Sequence, residues 1–538
     1  MSPRPQVTLP QGTVVGIRET GAYPGYIESF KGIPYALPPT GDLRFRPPAK
    51  VGKSSNIIDA SRFGPRAPAQ QFLVLGPELE ESEDCLTVNI FRQGGQETRD
   101  ELAPVAIYIH GGAFNRGNAA MHDTGTMVGW SEEPFIGVSF GYRIGSLGFL
   151  PCGLSRDEGT LNLGLKDQIC LMEWVQENIQ LFGGDPQNVT LFGLSAGAHS
   201  IGYHLLNYED GKAPLFHRVI IESGAPTARA LRLPDDPVHE AQFKDYLQEV
   251  KCPQDLSSTE TLEYLRSLPL SVVAKAQITV FAKYNPSLRW AFQPVIDGEI
   301  IRRRPIDSWK NGQWHKVPIM TGFTTNEGSL YVNKAMNTPE EFHEFWKTLL
   351  PGLGEEGLDT IETLYPDPFK FPDSIYKEDR ANVGSMYRRI EAAYAHYAYI
   401  APARQTAHFA GDHVPVFLYH WALESDIIGG ARHGDNMLYE TRDPKKCAVS
   451  SSQDELSGFI HAYVTSFICT GDPNAIKGKY HERPEWTRHQ SSSKKVMVFG
   501  RDNKELVGGD VGKAASLEPD NWPDAESQFW WGKVEQFS

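Results

Sequence analysis

No stretch of this chain stays apolar for anything near the ~20 residues of a membrane-crossing helix, so no membrane span is expected. Positive charge is scarce as well. The 52 Lys and Arg stand against 67 Asp and Glu, a formal net charge of −15. Nucleic-acid binding needs a basic face for phosphate contacts, and this balance argues against that class. Cysteine is sparse: Cys85, Cys152, Cys170, Cys252, Cys447 and Cys469 form no C-x-x-C pair. Scattered thiols in a long chain suit reduced side chains better than a disulfide framework. The opening "MSPRPQVTLPQGTVVG" lacks the apolar core of a secretory signal, and "VEQFS" carries no readable targeting tail. The one N-x-[ST] site, Asn188-Val189-Thr190, falls in an apolar strand where a glycan has no room. Together these absences predict a cytoplasmic protein. No internal repeat, low-complexity tract or flexible linker divides residues 1–538, which are expected to form a single domain.

What is present is an alternation of short β-rich runs with helical patterns, as parallel α/β sheets require. Core strands are predicted at "VAIYIH" (105–110), "FIGVSF" (135–140), "VTLF" (189–192), "RVII" (218–221), "VPIM" (317–320) and "VFLYHW" (416–421). Leu165, Ile169, Met172, Val175, Ile179 and Phe182 recur at helical spacing and predict one buried helix face, ended by Gly183-Gly184. Residues of about 340–400 read as a more polar helical excursion, a lid or subdomain inserted between sheet strands.

The serine strand runs into "GLSAG", which puts Ser195 between Gly193 and Gly197. G-x-S-x-G at a strand-to-helix junction is the sharp turn that exposes a nucleophilic serine above a sheet. Such a serine needs a base, an acid to orient the base, and donors for an oxyanion. "HGGAF" (His110 to Phe114) follows the strand at 105–110, where glycines let backbone N–H groups approach a substrate. Glu327 lies in "TGFTTNEGSL", after the strand at 317–320. His433 lies in "GGARHGDNMLYE", after the strand at 416–421. Ser195, Glu327 and His433 keep the chain order serine, acid, histidine. All three lie beyond the carboxyl ends of strands, where such sheets place their sites.

These residues carry a family resemblance. "FKGIPYALPPTGDLRFRPP", "EDCLTVNIFRQ", "HGGAFNRG", "GYRIGSLGFL" and "LGLKDQICLMEWVQENIQLFGGDPQNVTLFGLSAGA" resemble the type-B carboxylesterase/lipase family, the cholinesterase-like α/β-hydrolases. "FQPVIDG", "TGFTTNEGS", the His433 loop and "TGDPN" continue the match along almost the whole chain. The resemblance implies an α/β-hydrolase fold, with a large, mostly parallel sheet flanked by helices. It also implies a serine esterase without metal or cofactor, acting on a small-molecule ester. Ser195 would be the nucleophile, Glu327 the acid and His433 the base. Gly112, Ala113 and Ala196 would donate the oxyanion-hole N–H groups. Phe114 and Leu194 are the first candidates for substrate contact, followed by Phe281, Trp290 and Phe292.

The chain departs from the family at several points. Cys85 in "EDCL" normally pairs with a cysteine in "GPxCP", but Ala67 holds that position. Leu194 stands before the serine where Glu is usual, and Asn436 replaces the Glu of H-G-x-E. In relatives those carboxylates belong to a buried acidic network near the histidine, so its replacement predicts a preference for neutral, largely apolar esters. Asp435, Glu222 or Glu440 could instead restore the charge. Ser223, whose counterpart bonds to that network, has no assigned role. His199 is on the helix after Ser195 and is not expected to be the base. His239-Glu240 and His343-Glu344 lack the second histidine of a zinc motif. Hydrolysis and acyl transfer share the same triad and differ only in the acceptor. A non-enzymatic relative that kept the fold would have lost the serine.

Overall fold

The computed structural model describes residues 4–70, 76–95, 101–229 and 231–537. The alternation of strand and helix builds one eleven-stranded sheet. In chain order its strands are β1 (Ile17–Glu19), β2 (Ile27–Pro34), β3 (Thr87–Gln93), β4 (Ala103–Ile109), β5 (Ile136–Phe140), β6 (Gly184–Leu194), β7 (Arg218–Glu222), β8 (Ile319–Thr324), β9 (Val416–Trp421), β10 (Lys495–Arg501) and β11 (Lys513–Pro519). Their spatial order is β1-β2-β3-β5-β4-β6-β7-β8-β9-β10-β11. Neighbours from β5 to β10 are parallel, and the pairings at either margin are antiparallel. A small separate sheet joins Gln6–Leu9, Gly12–Val15 and Ile57–Asp59.

β5, β8 and β9 are buried at every residue, which is why they read as unbroken apolar runs rather than alternating ones. The run at 317–320 starts late as a strand. Pro318 has no N–H to give a ladder, so β8 begins at Ile319 and extends to Thr324. The periodic helix forms as α1 (Leu163–Asn178), continued by a tighter turn over Ile179–Phe182. It stops at Gly183, whose φ of 87° favours glycine. Leu165, Met172, Val175, Ile179 and Phe182 are all buried, each contributing roughly 1.5–3 kcal/mol. Asp167 on α1 takes the Arg143 guanidinium at 2.6 and 2.8 Å, which pins the helix to the chain after β5.

The polar-looking excursion contains α2 (Pro339–Leu349), α3 (Gly354–Leu364) and α4 (Tyr387–Ala395). α4 passes through a π turn, His396–Ile400, into α5 (Ala401–Ala410). Residues 365–386 are not helical: Pro366, Pro368 and Pro372 deny them the N–H groups of a helix. The stretch is also less peripheral than its polarity suggests. Trp346, Tyr394, Tyr397 and Tyr399 lie in an apolar cluster that reaches Ala113 and Trp290. Among the described residues, no helix is long and apolar enough to cross a membrane. All six cysteines are unpaired thiols, and Cys85 is buried.

Candidate active site

Ser195 occupies the residue between β6 and the helix Ala196–Leu206. Its φ of 59° and ψ of −122° are rare for a side-chain-bearing residue and cost about 1–3 kcal/mol. The surrounding turn holds it there. The Ser195 N–H donates to the Glu222 carbonyl at 2.9 Å, and the Ser195 carbonyl accepts from the His199 N–H at 2.9 Å. The flanking glycines are required by close approach. A Cβ on Gly197 would lie 1.9 Å from the Ile109 carbonyl oxygen, and one on Gly193 2.5 Å from the same atom. The G-x-S-x-G pattern is therefore the imprint of β4 passing directly beneath the turn.

β4 then delivers the glycine loop to the serine. A Cβ on Gly111 would lie 3.1 Å from the Ser195 Cβ, so the two loops are in contact. Gly112, Ala113 and Phe114 all take positive φ, at 114°, 55° and 60°. Among the described residues, no turn, cap or side-chain hydrogen bond uses the N–H of Gly112, Ala113 or Ala196. Gly111, Gly112, Ala113, Leu194, Ser195 and His433 line a common cavity of about 90 Å³.

Across that cavity, His433 Nδ1 lies 2.5 Å from Glu327 Oε2. Facing a carboxylate, Nδ1 carries the ring proton and Nε2 is left as the acceptor. Nε2 is buried and has no partner among the described residues. The other Glu327 oxygen accepts from the Thr324 N–H at 2.7 Å, and the residue is fully buried. The two loops are bolted together one residue away. Asn326 Oδ1 accepts from the Ala431 N–H at 3.1 Å, while its Nδ2 donates to Glu391 on α4 at 3.1 Å. The Gly328 N–H donates to the other Glu391 oxygen at 3.1 Å. Burial pushes the Glu391 carboxyl up to about 7. Tyr399 and Tyr331 flank the histidine ring with centroids 4.6 and 5.4 Å away. Neither Glu391 nor these tyrosines is marked by any pattern in the sequence. The only trace of them is Asn326 inside "TTNEG".

This arrangement brings a serine, a histidine and a carboxylic acid to one mouth of a parallel sheet, and the comparisons with known proteins decide the family. A sequence model described as the carboxylesterase family matches residues 3–516. The chain belongs to the carboxylesterase family. It is 33% identical over 510 residues to Secreted lipase 4 of Gibberella zeae, covering 94% of this chain and 89% of that protein. It is 30% identical over 549 residues to Secreted triacylglycerol lipase LIP1 of the same organism, covering 95% and 89%. Among solved structures it resembles EstA of Aspergillus niger, with a TM-score of 0.84, 25% identity and 99% of each chain covered. The esterase is thus a carboxylic-ester hydrolase of α/β-hydrolase fold. The cytoplasmic expectation is overturned by the same comparisons, since two of these relatives are named as secreted. Its weakness was physical. Cys85 and Cys152 are buried free thiols, and the burial of a thiol does not report the redox environment.

Two carboxyl groups from elsewhere in the chain meet behind Asn436. Asp435 turns away, accepting from Ser425 Oγ and from the Arg432 N–H. Glu222, 1% exposed, accepts from Asn436 Nδ2 at 3.0 Å and from the Tyr419 hydroxyl at 3.1 Å. Glu440, fully buried, adjoins it, and His122 Nε2 lies 3.3 Å from Glu440 Oε1. Two adjacent buried carboxyls cannot both ionise, so the pair shares a proton. Burial, then the Glu222 charge, hold Glu440 well above the ordinary range. Burial raises Glu222 to about 7. The Ser223 hydroxyl has no partner among the described residues and does not join the pair.

The pair has a consequence for stability. Its folded carboxyls keep a proton that the unfolded chain releases near pH 4.3. The stability it supplies is therefore complete below that pH and falls as pH rises above it, for as long as the folded pair keeps the proton. Glu440→Gln keeps a hydrogen-bond donor toward Glu222 but removes one titrating group. The variant should gain on wild type in stability, and with it in melting temperature, as pH rises from 5 to 8, by roughly 1.4 kcal/mol for each pH unit over which folded Glu440 keeps the proton that the unfolded chain has lost. Melting curves that stay parallel across that range would show that the two carboxyls do not share a proton.

Of the substrate-contact candidates, Leu194 and Trp290 line the serine cavity. Phe114 does not: it packs on Phe149 at 5.0 Å and faces a second cavity behind Trp290. Phe281 stacks beneath Trp290 at 6.3 Å, and Phe292 packs edge-on against Tyr246 at 5.6 Å. Both belong to the core. The Phe114 side chain is redirected by its own φ of 60°, a local twist that position in the sequence does not reveal.

Proposed function

We propose that Ser195, Glu327 and His433 cleave neutral, largely apolar esters through an acyl-enzyme, with residues 1–538 acting as one domain carrying the helical excursion at about 340–400. His433 Nε2 takes the Ser195 proton as Oγ attacks the ester carbonyl. The N–H groups of Gly112, Ala113 and Ala196 receive the oxyanion. As the tetrahedral intermediate collapses, His433 returns the proton to the departing alcohol. Water then loses a proton to the same nitrogen, attacks the acyl carbon and frees the acid, and the proton goes back to Ser195. Glu327 keeps the proton on Nδ1 and stabilises the imidazolium. The unspent N–H groups and the partnerless Nε2 support these roles, because each is an unsatisfied group that the reaction would satisfy.

The substrate class rests on the lining of the cavity. Its charged side chains among the described residues are Arg66 and Arg116, with no carboxylate. Arg66 is paired with Glu81 at 2.9 Å, outside the lining. The Glu222–Glu440 pair lies behind Asn436 and carries at most one charge. A carboxylate ~4 Å from a cationic substrate would be worth on the order of 4 kcal/mol before desolvation, at an effective dielectric of about 20. That attraction is missing here. A 3,3-dimethylbutyl ester should therefore exceed its choline counterpart by about tenfold or more in kcat/KM, which is roughly 1.4 kcal/mol. Measuring both esters at several ionic strengths tests this. A preference for choline that salt weakens would mean that a carboxylate serves the pocket after all.

A further inference from the structure

Behind Trp290 lies a second cavity of about 80 Å³, room for roughly six waters or a small organic acid. None of its groups takes part in the reaction proposed above. Arg229, Arg232 and Arg289 all line it, in a chain of net charge −15, and no Asp or Glu is among its described lining residues. Arg232 is compensated by Asp236 at 3.2 Å. Arg229 and Arg289 form no ion pair among the described residues. Arg229 is fixed by neutral groups: it donates to the Tyr399 hydroxyl at 3.0 Å and lies over the Trp290 ring, 4.1 Å from its centre. Burial, reinforced by the charge of Arg232, lowers the pKa of Arg289, while the charge of Asp236 acts against the shift.

The walls hold more unsatisfied polarity. Nε of Arg229 and of Arg289, and Nε2 of His199 and of His239, are buried and have no hydrogen-bond partner among the described residues. The two histidines are 1% and 5% exposed. Burial holds both neutral, His239 at about 4 and His199 well below its ordinary value. The two arginine Nε–H groups are donors that an oxyanion would satisfy by charge-assisted hydrogen bonds. Each neutral histidine gives its proton through Nδ1, His199 to the Ala225 carbonyl at 3.0 Å and His239 to Gln242 Oε1 at 3.4 Å, so their Nε2 atoms are acceptors and do not bind the anion.

We propose that this cavity binds a small carboxylate and that its occupant is the acid released by ester cleavage. The inference rests on the reaction assigned to Ser195, since each turnover frees a carboxylate anion beside the Glu327 charge. Trp290 lines both cavities, so one side chain separates the place where the acid is formed from the arginines. His199 sits one helical turn beyond Ser195 and belongs to the receiving side.

The test is calorimetric titration of butyrate, butyramide and inorganic phosphate into enzyme whose Ser195 has been blocked by a small organophosphate. Butyrate should bind the blocked enzyme in the millimolar range, with butyramide and phosphate each at least tenfold weaker. Arg229→Gln and Arg289→Gln should each weaken butyrate at least tenfold, and Arg289→Lys, which keeps the charge, should largely retain it. Arg289→Gln should leave the kcat/KM for p-nitrophenyl butyrate within twofold while relieving inhibition by added butyrate. Equal binding of butyramide, or insensitivity to both glutamine variants, overturns the site. Phosphate binding as tightly as butyrate overturns the product as its occupant. If the organophosphate fails to label Ser195, the reading of the ester site falls, and titration of the unlabelled protein still decides whether the cavity holds an anion.

Discussion

Replacing Ser195 with alanine is expected to lower turnover of a simple ester by roughly 10⁶ while the protein stays folded. The loss follows from the mechanism: without Oγ there is no acyl-enzyme, and only binding and the oxyanion donors remain to assist water. Folding should be spared because the turn is held by main-chain bonds to Glu222 and His199 and by the contact of Gly193 and Gly197 with Ile109, none of which uses the hydroxyl. The check is steady-state hydrolysis of p-nitrophenyl butyrate beside a melting curve of the same preparation. A folded variant that keeps even a tenth of the activity would remove Ser195 from the reaction.

The second large effect is expected for Glu327→Gln, about 10⁴ in kcat. The geometry dictates how the amide would sit. The Thr324 N–H, 2.7 Å from one carboxylate oxygen, selects the amide oxygen and leaves the NH₂ group facing His433 Nδ1. Nδ1 must then accept, which moves the ring proton to Nε2, the atom that should take the proton of Ser195. Volume and hydrogen-bond count are nearly unchanged, so the melting temperature should move little. Labelling of Ser195 by a fluorophosphonate should slow in parallel with kcat, a readout that a purely structural glutamate would not move. A loss below tenfold, with labelling unchanged, would assign the orientation of His433 to another group.

The triad candidates were legible because each sits in a short motif whose spacing is imposed locally. Gly193 and Gly197 are glycines because β4 runs under the turn, and Gly112 is one because the loop after β4 takes a φ of 114°. Chain order supplied the rest, since strands β4, β6, β8 and β9 present their carboxyl ends to one mouth. Glu391 left no such trace. It reaches Asn326 and Gly328 from α4, in a stretch that reads only as polar helix. The compartment was misread for a different reason: buried thiols and a missing disulfide partner say how cysteines pack, and packing does not report where a protein is sent.

The sequence by itself determined the fold class, the order of the elements and the residues that could carry ester chemistry, because strand, turn and helix propensities act between near neighbours. Only the tertiary structure decided which carboxyl groups meet behind Asn436, which aromatic residues face the serine, and where the arginines gather. Glu222 ends β7 while Glu440 follows the His433 loop, and Asn436 and Tyr419 converge on them from two further places. Buried polar groups must be satisfied by whatever element arrives beside them. That partnership is settled by packing between distant segments, and no local periodicity encodes it.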